Sequence, residues 1–231
     1  MKNLAVVTAR SGSKGLKDKN IRLMAQKPLM AYTIESALES GMFHTVMVST
    51  DSEEYAKIAK EYGAQVPFLR REETSGDHAG SWEVVKEVLS GYLNMNEKFD
   101  TVCLLQPTSP LRDATDIVKA YGLFEEKQAD AITSVCECDH PIEYMMTLDN
   151  DMSLERFRKT IKSIQRQMCP QYYRLNGAVY IRALEYISDD IQIRDAKEYA
   201  FVMSVKNSVD IDTIDDFEYA EFLIKENLLS K

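Results

Sequence analysis

Histidine is scarce in this sequence: His44, His78 and His140 lie far apart along 231 residues, which leaves little material for a histidine-based zinc site or a histidine-driven triad. The four cysteines, Cys103, Cys136, Cys138 and Cys169, form no CxxC pair, and the opening MKNLAVVTAR has too short an apolar run for a secretory leader. Reduced thiols in a cytoplasmic protein are the expectation. No apolar stretch approaches the roughly 18 residues of a membrane span, so no membrane partner is expected. Nine glycines and six prolines exclude collagen-like and low-complexity classes. Positive charge is also in short supply: 28 Lys and Arg stand against 37 Asp and Glu, a net charge of −9, which argues against a nucleic-acid backbone as partner.

What is present is the composition of an ordinary globular chain, 45% hydrophobic and 28% charged. A chain of this length buries roughly 70% of its unfolded surface, so neither disulfides nor a structural metal are required for stability. The charge is unevenly spread. Residues 1–27 carry seven basic side chains (Lys2, Arg10, Lys14, Lys17, Lys19, Arg22, Lys27) against the single acid Asp18, while Ser208 to Lys231 carry seven acids and two lysines. Such ends are often solvated faces, but the first also has the makings of an anion site.

Short Val-, Leu- and Thr-rich runs alternate with amphipathic stretches. Strands are expected at Leu4–Thr8, Thr45–Ser49, Gln65–Leu69, Thr101–Leu105 and Ala131–Val135, and helices at Pro28–Ser40, Ser52–Tyr62, Ser81–Leu93 and Asp113–Glu126. This rhythm predicts an α/β fold with a doubly wound, mainly parallel sheet, whose ligands lie beyond the carboxyl ends of the strands. Residues 137–174 break it, with only a weak helical stretch around Leu154–Ile164, and read as an inserted arm. Strand character resumes at Gly177–Ile181 and Tyr199–Val205. A closing helix is expected over Thr213–Leu229, opened by the cap-like pair Thr213 and Asp216.

Three post-strand segments carry chemistry. In RSGSKGLKDKN (Arg10 to Asn20) two glycines allow the backbone N–H groups to turn toward an anion, and Arg10, Lys14 and Lys19 supply cationic donors for phosphate oxygens. The loop matches neither GxxxxGK[ST] nor GxGxxG. In SVDIDT, Asp210 and Asp212 alternate with Val209 and Ile211, so an extended backbone points both carboxylates to one face. That suits Mg²⁺, though a solvated turn with Asp212 capping the next helix has the same spacing. In QPTSPLR, Gln106, Ser109 and Arg112 follow the fourth strand run, in a loop stiffened by Pro107 and Pro110. Asp51, with Glu54 three residues on, reads first as a helix cap.

Taken together, ARSGSKGLKDKN, LLQPTSPLR (Leu104–Arg112), RLNGAVYI (Arg174–Ile181) and SVDID (Ser208–Asp212) resemble the acylneuraminate cytidylyltransferases, in order and over essentially the whole chain. The resemblance implies a Rossmann-like nucleotidyltransferase three-layer sandwich, one domain over 1–231, and a homodimer whose inserted arm, about 137–174, reaches the partner subunit. It implies transfer of CMP from CTP to the anomeric hydroxyl of a nine-carbon keto-sugar acid, with release of pyrophosphate and with Mg²⁺ as cofactor. On this chain it places Arg10, Lys14, Lys19 and Asn20 at the triphosphate, with Lys19 stabilising charge in the transition state. Arg70, with Arg71 as its possible substitute, and Ser81 fall on the cytosine side. Gln106, Arg166, Arg174 and Asn176 fall at the sugar acid, and Asp210 and Asp212 at the metal.

Two departures sit on the sugar side. Glu143 stands where sialic-acid-activating relatives carry a lysine, and Ile191–Arg194 lacks the paired phenylalanines some of them offer. The exact sugar therefore stays open among sialic, legionaminic, pseudaminic and shorter keto-sugar acids. A catalytically silent nucleotide-binding protein is the competing reading, but Lys19, Asp210 and Asp212 together exceed what a binder needs.

Overall fold

The computed structural model describes all residues except 13–14, 77–78, 149, 161–164, 188–195 and 230–231. Its centre is a six-stranded sheet built from β1 (Asn3–Thr8), β4 (Thr45–Ser49), β5 (Thr101–Leu105), β6 (Ala131–Glu137), β7 (Tyr173–Ala183) and β8 (Glu198–Met203). The strand order is β4-β1-β5-β7-β6-β8, and β7 alone runs antiparallel to its neighbours. Two further strands, β2 (Leu23–Met24) and β3 (Lys27–Pro28), make a small separate hairpin.

β1, β4 and β5 are almost wholly buried, apolar-rich runs because both sheet faces are covered there. Ala5 and Val7 of β1 join one core with Met30 and Ile34 of α1 (Leu29–Glu39) and Ile117 and Tyr121 of α5 (Ala114–Glu126). The alternate residues Leu4 and Val6 join the opposite core with Val85, Val88 and Tyr92 of α4 (Ser81–Asn94). The mainly parallel α/β sandwich predicted from the alternation is therefore present.

A third cluster determines where the site forms. Leu16, Met24, Leu29 and Leu111 pack with Ile211 and with Phe217, Ala220 and Ile224 of the final helix, α7 (Ile214–Leu229). Burying Ile211 completely is worth about 1.5–3 kcal/mol. That energy draws residues near position 16 and residues near position 211 to the same end of the sheet.

Several expectations are corrected. Gln65–Leu69 is not a strand: Gln65 makes one isolated parallel bridge to Met47, and the chain then leaves the sheet because Pro67 has no N–H to continue a ladder. Gly177–Ile181 is the middle of the 11-residue β7, and β8 lies at Glu198–Met203 instead of Tyr199–Val205. Within the irregular 137–174 segment, the weak helical stretch is a short helix, α6 (Glu155–Thr160); residues 161–164 of that prediction lie outside the described ones. The β2–β3 hairpin had no signal, because its two-residue turn is Ala25-Gln26, both at positive φ, where glycine or asparagine would normally stand.

Candidate active site

Six of the residues picked from the sequence meet in one cleft at the carboxyl ends of β1 and β5. A cavity of about 470 Å³ is lined by Thr8, Arg10, Gly15, Lys19, Asn20, Gln106, Pro107, Thr108, Asp210 and Asp212. A second cavity of about 220 Å³ shares Thr8 and Arg10 and adds Arg70, Thr74, Gly76, Ala79, Ser81 and Val84. Arg10, at the start of the anion loop, thus stands between two adjoining chambers.

The loop is held by specific contacts. Asn20 donates from its side-chain amide to the Arg10 carbonyl at 3.0 Å, and Ser11 donates its N–H and hydroxyl to Asp51 at 2.8 and 3.0 Å. Arg10 donates to the Ser75 carbonyl at 3.3 Å, tying it to the wall of the smaller chamber. A Cβ on Gly15 would lie 2.8 Å from the Asp212 carbonyl oxygen, so glycine is what lets the loop touch the segment that carries the aspartates. Lys14, a predicted phosphate contact, lies outside the described residues.

Opposite the loop, Ile211 is fully buried and leaves its neighbours Asp210 and Asp212 facing the cleft, which is the geometry the alternation predicted. Lys19 donates to the Ile211 carbonyl at 2.6 Å and lies 3.7 Å from the Asp212 carboxylate. Burial, with the Asp212 charge added, pushes the Asp210 carboxyl upward, despite a hydrogen bond from Thr108 and the field of Lys19. Its Oδ1 is buried without a hydrogen-bond partner. An orphaned carboxylate oxygen beside a second carboxylate fits a hard divalent cation such as Mg²⁺. No group of three or more His, Cys, Asp or Glu gathers among the described residues, so such an ion would take its remaining ligands from water and phosphate oxygens. Asp212 does not cap α7. Thr213 does, in a reciprocal box with Asp216, and Asp216 also accepts the Asp212 N–H at 3.1 Å.

The smaller chamber separates the two arginines that sequence left interchangeable. Arg70 is buried and bound to Ser49 through its Oγ and carbonyl oxygen, and burial pushes its guanidinium down to about 10, offset by the charges of Asp51 and Glu87. Arg71 is exposed and faces Glu87 at 3.9 Å.

On the sugar side the structure divides the predicted set. Gln106 lines the main cleft, seated against Gly177, where a Cβ would come within 2.5 Å of its Oε1. The turn carrying it is pinned from below by Arg112, which is 1% exposed and donates to the Gln106 and Ala178 carbonyls and to the Thr33 hydroxyl. Asn176 is also 1% exposed and spends its amide inside the fold, accepting from Ser134 and donating to Ser208. Arg166 and Arg174 are exposed on and beside the arm and line neither cavity; Arg166 donates to the Asp139 carbonyl at 2.8 Å. Glu143 accepts from the Tyr172 hydroxyl at 2.6 Å. Residues 191–194 lie outside the described ones.

Sequence reasoning missed Thr8 and Thr108, which line the main cleft. Thr8 ends a strand that had been identified, so its place at a carboxyl end was the available signal. It also misassigned Asp51: the cap of α2 (Glu53–Glu61) is Ser52, which accepts from the Tyr55 N–H.

Comparison with known proteins places the chain in a family. A sequence profile described as Cytidylyltransferase matches residues 4–231. An N-acylneuraminate cytidylyltransferase of Escherichia coli O18:K1:H7 is 39% identical over 95% of this chain and 51% of its own length. A pseudaminic acid cytidylyltransferase of Campylobacter jejuni is 33% identical over 98% of both chains. The chain thus spans about half the length of the neuraminate relative and nearly all of the pseudaminic one. Among solved structures, a CMP:2-keto-3-deoxy-manno-octonic acid synthetase complexed with CTP superposes with a TM-score of 0.72 at 15% identity, covering 98% of this chain and all of that one, a likeness of fold. No helix among the described residues is long and apolar enough to cross a membrane. With the profile matched from residue 4 to residue 231 and relatives aligned end to end, the chain belongs to the cytidylyltransferase family of CTP-dependent nucleotidyltransferases.

Proposed function

We propose that the chain transfers CMP from CTP to the anomeric hydroxyl of a sialic-type nonulosonic acid, releasing pyrophosphate, in the cytoplasm. The observation that carries this reading is the single cleft in which Arg10, Lys19 and Asn20 face Asp210 and Asp212, with the Arg70–Ser81 chamber opening beside it. In the reaction the anomeric oxygen bonds to the α-phosphorus and the bond from that phosphorus to the bridging oxygen of pyrophosphate breaks. The hydroxyl proton passes to water at the open mouth. Such a displacement needs positioning and charge neutralisation more than covalent catalysis.

Each side chain then has a task. Arg10, the backbone of the anion loop and Lys14 hold the β- and γ-phosphates, while Lys19 neutralises charge growing on the α-phosphate and the departing bridge oxygen. Arg70 and Ser81 bind the cytosine. Gln106 orients the sugar, and Arg174 with Arg166, which line neither cavity in this chain, would reach its carboxylate from the arm side as bidentate partners. Asp210 and Asp212 would hold Mg²⁺, which would supply positive charge against the triphosphate. Exposed apolar side chains on and beside the arm, including Ile142, Met145, Met168 and Leu175, support a homodimer that covers them.

The test is pyrophosphate release with CTP, Mg²⁺ and a panel of N-acetylneuraminic, legionaminic, pseudaminic and eight-carbon keto-sugar acids. Turnover with a nonulosonic acid supports the reading; absence of turnover with all of them sinks it. A monomeric mass at micromolar concentration would overturn the dimer.

A further inference from the structure

The carboxylate of Asp51 stands where β4 ends, but it does not serve the helix that follows. That helix is capped by the neighbouring residue, Ser52. Both Asp51 oxygens turn instead to a residue forty positions earlier: Oδ1 accepts the Ser11 N–H at 2.8 Å and Oδ2 the Ser11 hydroxyl at 3.0 Å. Ser11 directly follows Arg10, which lines both chambers. From the other side Asn20 holds the Arg10 carbonyl, so the entry of the anion loop is gripped from two directions.

An acid at the edge of an anion site opposes the ligand by Coulomb repulsion, and here it also consumes an N–H that could have faced a phosphate. What the arrangement gives in return is order. A glycine-containing basic loop left free would lose its backbone and side-chain freedom on binding, and fixing it beforehand removes that cost. The same carboxylate lies close enough to Arg70 for its charge to offset the burial of that guanidinium, so it acts on both chambers.

Resting on the reading of the cleft as a CTP site, we propose that Asp51 is a positioning residue for the nucleotide. It fixes Ser11, and through Ser11 the Arg10 guanidinium, in the conformation that receives the triphosphate.

The test measures Tm, the calorimetric Kd for CTP with Mg²⁺, and KM for each substrate in Asp51→Ala, Asp51→Asn and Ser52→Ala. Asp51→Ala is expected to weaken CTP binding about tenfold and raise KM for CTP alike, with KM for the sugar acid within about twofold. Asp51→Asn keeps an acceptor for the Ser11 N–H and recovers part of that loss. Ser52→Ala removes the true helix cap and lowers Tm while leaving the Kd for CTP unchanged. CTP binding by Asp51→Ala at or above wild-type strength overturns the proposal, as does a set of losses that follows Tm across all three variants. If Asp51→Ala fails to fold, Asp51→Asn and Ser11→Ala decide by the same Kd. If the wild type binds CTP but turns over no sugar acid, the reaction reading falls while the Kd comparison still judges Asp51. A wild type that does not bind CTP removes both.

Discussion

Replacing Asp210 by asparagine should move stability and activity in opposite directions. In the fold, Asp210 has one buried oxygen without a partner and the Asp212 carboxylate as a neighbour, so its negative charge is held at a cost when no cation is present. Leaving a buried polar atom unsatisfied costs about 1–3 kcal/mol, and more when it is charged; asparagine leaves a polar atom in place and relieves only the part due to charge, so the lower end applies. Asparagine has nearly the same shape, keeps an acceptor for Thr108, and removes the charge. A gain of about 1 kcal/mol corresponds to about 2–4 °C in Tm for a domain of this size.

Magnesium should reverse the order. Wild type at a metal concentration 100 times its Kd gains about 2.7 kcal/mol from binding, whereas the variant has lost one of its two carboxylates and gains little. Turnover should fall about 100-fold or more, the usual scale for removing one preorganised electrostatic group. The assays are thermal denaturation in EDTA and in saturating Mg²⁺, paired with pyrophosphate release. An Asp210→Asn protein that melts lower than wild type in EDTA and still gains its full Mg²⁺ shift would refute the assignment.

Lys19→Ala is expected to cut turnover by about 100- to 1,000-fold with a small change in Tm; near-normal pyrophosphate release would remove Lys19 from the transition state. Gly15→Ala drives a Cβ into the Asp212 carbonyl and should cost about 1–3 kcal/mol, read by urea denaturation, with activity lost because the loop and the aspartate segment are pushed apart. Asp216 is held below the usual carboxylate range first by hydrogen bonds from Thr213 and then from Asp212. A depressed acid stabilises above its unfolded pKa of about 3.9 and loses that contribution as pH falls through its folded value. The stability difference between wild type and Asp216→Asn should therefore be full at pH 7 and close as the pH drops below about 4; a difference that widens on acidification contradicts the cap.

Where sequence and structure agree, the interaction is local or repeated. β1, β4 and β5 are buried on both faces, so their apolar runs stand out without knowledge of neighbours, and the box of Thr213 and Asp216 spans four residues. Misreadings occur where a single residue overrides its neighbours' pattern or where the deciding partner is distant. Gln65–Leu69 has strand composition, but one proline at position 67 ends the ladder after a single bridge. Asp51 looks like a cap because Glu54 is nearby, and nothing in the sequence announces Ser11 as its partner. Asn176 sits in a recognisable motif, yet its burial beneath the cleft depends on Ser134 and Ser208.

The sequence by itself determined the class of chemistry: a basic glycine-containing loop at one end, an alternating aspartate pair at the other, and too few histidines for another route. Those signals survive in one dimension because they depend on residue type and short spacing. Only the tertiary structure decided that the two ends meet, since Leu16 and Ile211 bury themselves in one cluster and bring Gly15 against the Asp212 carbonyl. Net charge is a sum over the chain, whereas binding depends on the field at one place. An acidic protein can therefore gather Arg10 and Lys19 in a single cleft through hydrophobic contacts nearly two hundred residues apart in sequence.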